Sequence, residues 1–284
     1  MRLKGITFLS IFCMSSLLKG VGTQFVNVPG SVGELVHGTQ SAMVYFPENL
    51  LDKTSISISH NDWFGGFSVF GMGISSPLFG GQALFRVKYG GFENIELRDE
   101  SPSDSPLSFY SAFGTTVSGG IKYKLEGYEI SSLVQMLHLR IHTHSSSGFS
   151  GSLAIAKPIL RDWKIGVALS HAGSMDQFVH QKPKLPFSGN IVISKTSTFK
   201  EFYNKFFLSG GYIPSSKDHI ILVNNTISWK NIGVTLASHI SNETSHISGG
   251  FSIKLGLYQF EYGFRIGDHQ LGIPQVIDLS VTLP

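Results

Sequence analysis

The sequence predicts an all-β fold, a 14-stranded antiparallel transmembrane β-barrel with a short N-terminal luminal or plug segment, on three observations. First, the 284 residues are 42% hydrophobic and only 14% charged, against roughly 25% charged for an ordinary soluble domain. Part of the apolar surface therefore faces something other than water. Second, no run beyond residue 22 suits a spanning helix: Trp63–Phe85 holds 23 residues without a charge, but seven glycines and prolines, from Gly65 to Gly81, interrupt it. Such a run reads as two strands joined at Ser75–Pro77, because Gly and Pro in a helix interior cost about 1 and 3 kcal/mol each. Third, alternation with period two recurs along the chain, and a closed sheet is the one structure besides a helix that satisfies every backbone group in a bilayer.

Taken in order, residues 1–22 read as a secretory leader, with basic Arg2 and Lys4, an apolar stretch Ile6–Leu18 and a small-residue exit at Gly20–Gly22. This 13-residue stretch is too short for a membrane anchor, which needs about 20. Phe12 fills the position before Cys13 where a lipid-attachment signal needs a small residue. Residues 23–52 break the alternation with small residues and a weak helical period, and lie before the first strand, where a segment either plugs the lumen or caps it. Glu34, His37, Tyr45, Pro47, Glu48 and Asn49 are its candidate plug residues.

Residues 53–284 form the expected barrel. Turn signals divide them into strands near 54–60, 63–74, 81–91, 108–123, 128–142, 147–157, 162–171, 186–195, 204–213, 218–228, 231–240, 244–255, 257–267 and 273–283. An even count puts both termini on one side, the periplasmic side of a bacterial outer-membrane barrel, and the two longest connections, Phe92–Leu107 and Ala172–Leu185, then share the opposite, outer side. A two-layer β-sandwich also alternates; the length of the strands and the scarcity of charge favour the barrel, exported to the outer membrane with lipid as its first partner.

The alternation assigns faces. In Tyr258–Gly267, Tyr258, Phe260, Tyr262, Phe264 and Ile266 take one face and Gln259, Glu261, Gly263 and Arg265 the other, so the aromatics face lipid and Glu261 and Arg265 line the lumen. In the fifth strand Leu133, Leu137, Leu139 and Ile141 alternate with Met136, His138, Arg140 and His142, which makes His138, Arg140 and His142 candidates for the luminal lining. Imidazoles two apart on a strand are about 7 Å apart and do not converge on a metal. The outer connections carry Glu93, Arg98, Asp99, Asp104, Asp176 and Phe178 as candidate docking residues.

The formal charge of +3 comes from Arg2, Lys4 and Lys19 in the acid-free leader; without them 19 basic residues face 19 acidic ones, and no nucleic-acid partner is expected. A single cysteine excludes an internal disulfide framework and a cysteine zinc site. No Gly-x-Ser-x-Gly elbow, P-loop or dinucleotide fingerprint occurs. No enzymatic activity, cofactor or metal is expected.

Four places resemble a known family: the small-residue segment Gly30–Leu51 with its end Phe46-Pro47-Glu48-Asn49-Leu50, the turn His60-Asn61-Asp62-Trp63, Leu185-Pro186 after the long connection, and the strand order over Phe187–Leu283. Together they resemble the PorV/PorQ family of FadL-like outer-membrane barrels of bacteria with type IX secretion. The resemblance implies a 14-stranded barrel with a luminal N-terminal segment that docks or shuttles secreted cargo, or type IX surface attachment components, through its outer loops. The alternative is a FadL-like passive transporter of small hydrophobic compounds, working through the lumen and a movable segment at Gly30–Leu51.

Overall fold

A computed structural model describes residues 23–39, 52–98, 105–242, 244–267 and 272–284. Fourteen antiparallel strands close into a barrel, as the alternation predicts: β1 (Ser55–Asp62), β2 (Ser68–Leu78), β3 (Gly81–Leu97), β4 (Ser108–Leu125), β5 (Tyr128–Ile141), β6 (His144–Leu160), β7 (Trp163–Met175), β8 (Ser188–Phe199), β9 (Phe202–Ile213), β10 (Asp218–Trp229), β11 (Ile232–Ser241), β12 (Ser245–Leu255), β13 (Tyr258–Gly267) and β14 (Gln275–Thr282). Each strand pairs with its sequence neighbours, and β1 closes on β14 in register Ser55 to Thr282 through Asp62 to Gln275. Closure leaves no edge strand, so no ladder N–H or C=O row faces lipid unpaired.

The end where β1 starts and β14 finishes is the inner end. There, links such as Phe79-Gly80, Glu126-Gly127 and Lys200-Glu201 span two residues each. Phe79 and Gly80 have φ of 46° and 78°, Glu126 and Gly127 of 48° and 82°; paired positive φ values match the right-handed twist of the flanking strands. The end of β3, the start of β4 and the longer link 176–187 stand at the opposite, outer end.

The structure moves several boundaries. The turn expected at Ser75–Pro77 falls at Phe79-Gly80, with Pro77 paired to Gln82 next to the turn. Here a missing N–H costs the ladder little. Trp63 precedes a short 3-10 turn, Phe64–Gly66, rather than opening β2.

The two faces of the wall meet different media. Phe85, Phe149, Val167, Ile191, Leu236, Ile247 and Ile266 are 47–61% exposed and form the outward apolar band. Inward stand Gln82, Ser118, Ser131, Gln135, Ser150 and Asn224, nearly all shielded. The apolar core is small and lies where the N-terminal segment meets the wall: Phe25 and Val26 pack with Leu137, Leu139 and Met175, and Val32 and Leu35 with Val276.

On β5 the face assignment is reversed. Leu133, Leu137 and Leu139 are 1–4% exposed and point into the lumen, whereas Val134 and Met136, on the alternate positions, are 58% and 56% exposed. His138 and Arg140 share the face of Val134 and Met136 and lie on the outside of the wall, not in the lumen; His142 follows β5 at the turn, its ring 5.5 Å from that of Tyr110 at the vestibule rim. The physical reason is the plug, which demands apolar partners inside just where the lipid demands them outside.

Candidate functional site

The site is the lumen around residues 23–39. A 3-10 turn, Thr23–Asn27, leads through Pro29 and Gly30 into α1 (Val32–His37). Six residues do not make a stable helix alone, and α1 is held at its start. Ser31 caps it, its hydroxyl accepting from Glu34 N at 3.2 Å, while Glu34 Oε2 accepts from Gly30 N at 2.8 Å. The pair works as a capping box displaced by one residue. Asp278 on β14 adds a carboxylate that accepts from Val32 N at 2.7 Å.

The wall grips this segment mainly by its backbone carbonyls. Lys88 Nζ on β3 donates to the carbonyls of Val26 and Val28 at 2.9 and 3.1 Å and stands 5.0 Å from the Phe25 ring centre. Asn61 donates to Pro29 O, Ser59 to Gly30 O, Asn224 to Val36 O and Arg265 to Leu35 O. Arg86 pairs with Glu34, whose side chain is only 2% exposed. Thr23 Oγ1 ties the start of the segment to Lys184 O in the outer loop. Bare wall lets the apolar side chains seat: a Cβ on Gly114 would enter the Phe25 ring, and one on Gly263 would stand 2.9 Å from Leu35 Cδ2.

Above this plug a vestibule of about 1460 Å³ opens toward the outer end. Its floor includes Glu34, His37 and Thr39, and its wall includes Phe207, Ile220 and Leu222 beside His239, His246 and Arg265. His239 and His246 face each other across β11 and β12, their rings stacked at 4.4 Å. A second pocket of about 180 Å³ lies between the plug, the β1–β2 link and β3–β5. Phe25, Val28, Trp63, Phe64, Phe67, Phe92, Phe113 and Leu139 line it, and Ala112 borders both cavities. Beside it the β3–β4 ladder loses register between Phe92 and Ile95. Toward the inner end the lumen is polar, with Gln135 bonded to Ser118 and Ser150, and Glu129 among Lys122, Lys124 and Lys164 at 2.8–3.7 Å.

Of the residues singled out from the sequence, Glu34 and His37 sit in the plug, and Glu261 and Arg265 face inward. Arg265 lies 4.9 Å from the Trp63 ring centre; Glu261 accepts from Gln259 at 3.1 Å. Tyr45, Pro47, Glu48, Asn49, Asp99 and Asp104, with the leader, lie outside the described residues. Glu93 is exposed at the β3 irregularity, Arg98 is bound to Glu96 at 2.7 Å, and Asp176 is exposed. Phe178 turns over the vestibule, 6.3 Å from the His144 ring. Sequence reading missed Arg86, Lys88, Asn61, Asn224 and Asp278, the residues that hold the plug. Arg86 and Lys88 carry a signal, two charges two apart within the otherwise uncharged run Gly81–Phe92.

No protein-family model and no curated protein matches the sequence. Solved structures resemble it in fold. CymD, a monoaromatic hydrocarbon channel, superposes with a TM-score of 0.58 at 9% identity over 82% of this chain and 88% of its own. The P. putida toluene transporter TodX gives 0.57 at 7% over 88% and 94%. The outer membrane protein Omp33 of Acinetobacter baumannii gives 0.50 at 6% over 81% and 98%. At these identities the likeness is one of fold: an outer-membrane-type barrel whose neighbours include FadL-like channels.

Proposed function

We propose that the protein is a passive, non-enzymatic conduit for small hydrophobic molecules across a bacterial outer membrane. The observation that carries this reading is the aromatic pocket adjoining the vestibule at Ala112. Its volume of about 180 Å³ is comparable to that of an engineered apolar cavity of about 150 Å³ that stays dry and binds benzene. A molecule entering from outside meets the wide vestibule first, and Ala112 is the side chain that both cavities share. Two fold neighbours, a monoaromatic hydrocarbon channel and a toluene transporter, point the same way. The plug closes the lumen below, so inward passage goes with release of its polar holds.

Type IX docking, the other role implied by the family resemblance, has no comparable support. Of its candidate loop residues, Arg98 is engaged by Glu96 and Phe178 turns inward over the vestibule.

The test uses Trp63 as the reporter. In a Trp163→Phe/Trp229→Phe background, toluene is expected to change Trp63 fluorescence saturably. Ala112→Phe, which fills the passage between the cavities, is expected to cut both that response and toluene uptake into proteoliposomes about tenfold, equivalent to about 1.4 kcal/mol. Uptake unchanged by Ala112→Phe would overturn the reading.

A further inference from the structure

The reversed face of β5 leaves a group of polar side chains on the outside of the wall. Outward from the inner end, β5 presents Tyr128, Ile130, Ser132, Val134 and Met136 before His138 and Arg140. A strand rises about 3.3 Å per residue and tilts about 40° in such barrels, so the ten steps from Tyr128 to His138 climb roughly 25 Å, the height of a barrel's apolar band. His138 and Arg140 therefore stand at the boundary between acyl chains and headgroups in the outer leaflet.

Their neighbours are hydrogen-bond donors. Arg140 pairs in register with Ser145 and His138 with Ser147, and His138 Nδ1 lies 3.0 Å from Ser147 Oγ. Arg140 Nε donates to His142 O at 3.0 Å, which holds the guanidinium at the turn. The described carboxylates of β3, Glu93 and Glu96, lie further out, and Glu96 is bound to Arg98. Among the described residues Arg140 makes no ion pair. Below the donors, Val134, Met136, Phe149 and Leu153 present 45–61% of their surface to acyl chains.

We infer that this patch binds the phosphorylated headgroup of the outer-leaflet glycolipid, with Arg140 and His138 holding a phosphate and Ser145 and Ser147 the adjoining sugar hydroxyls. Arginine matches phosphate geometry through two parallel N–H···O bonds, and the apolar residues beneath suit the glycolipid's acyl chains. The inference rests on the outer-membrane reading but not on transport, and it is measured separately from uptake.

The purified barrel in detergent is mixed with diphosphorylated lipid A, or with the same lipid stripped of phosphate, and adducts are counted by native mass spectrometry. Folding of every variant is checked by its heat-modifiable gel shift. His138→Gln/Arg140→Gln is expected to lower retention of diphosphorylated lipid A about tenfold, since charge-assisted contacts are lost. Arg140→Lys, which keeps the charge but loses the paired N–H geometry, should give retention between the native chain and the glutamine variant, and Lys195→Gln/Lys200→Gln at the inner rim should leave it unchanged. Should the double variant fail to fold, Arg140→Gln alone serves. Retention by the glutamine variants equal to that of the native chain, or equal retention of the phosphate-free lipid, would overturn the inference.

Discussion

The outer and inner faces of the barrel wall, one residue apart along every strand, obey opposite rules. On β13, Phe260 and Ile266 face outward, 39% and 50% exposed, while Arg265 reaches inward to Leu35 O and Ser248. Outside, the requirement is generic: any apolar side chain of reasonable size satisfies the lipid, and a charge does not. Inside, it is particular: around the plug, polar side chains answer specific carbonyls or a carboxylate of the plug, and removal strands the partner. The outer face is thus a solvent boundary and the inner face a docking interface, and substitutions should sort accordingly.

The largest expected effect is on the inner face. Arg86→Ala leaves Glu34 buried without its cation, and breaking one partner of a buried pair costs about 3–5 kcal/mol. The loss should fall on plug docking rather than on the sheet. Protease cleavage within 23–39 and small-solute leakage from proteoliposomes should rise, while the heat-modifiable band persists. If the band were lost as well, the plug would be part of the barrel's folding core and the contrast between the faces would fail.

Next comes the outer face. Leu236, 60% exposed at the middle of β11, faces the bilayer midplane, where Leu236→Arg should cost about 2–4 kcal/mol. Yield of the folded band should drop, whereas Glu261→Gln on the inner face keeps its reach to Gln259 and should be tolerated. Equal tolerance of both would break the comparison at its root.

A milder effect probes where the inner face is bare. Gly114→Val forces Phe25 off its seat, and overpacking of this kind costs about 1–3 kcal/mol. Toluene quenching of Trp63 should weaken, since Phe25 lines the same pocket. An unchanged response would place the binding site elsewhere in the lumen.

The same contrast explains what the sequence disclosed. The outer face is a two-letter pattern, and on β13 it is legible because the inward residues Gln259, Glu261, Gly263 and Arg265 are polar or glycine. On β5 both faces are apolar, Leu137 and Leu139 for the plug and Val134 and Met136 for lipid, so period two survives but its phase is lost. His138 and Arg140 were then read inward for want of any other signal. The turn after β2 was misplaced because Pro77 is a strong local sign and Phe79, at φ 46°, is a weak one. The inner face is not local at all: Arg86 finds Glu34 52 residues away and Asp278 finds Val32 246 away. Only closure of the barrel brings them together.

The smallest expected effect separates the grip of the wall from the plug's own order. Ser31→Ala removes the hydroxyl that caps Glu34 N, a loss worth about 1 kcal/mol, yet it leaves Gly30 N with Glu34 and Val32 N with Asp278. If the wall holds the plug, the half-life of 23–39 against protease should shorten only about fivefold, the equivalent of about 1 kcal/mol. Leakage should stay at the native level. An effect as large as that of Arg86→Ala would mean that α1 must form before the inner face can grip it, making the helix rather than the wall the element that sets plug release.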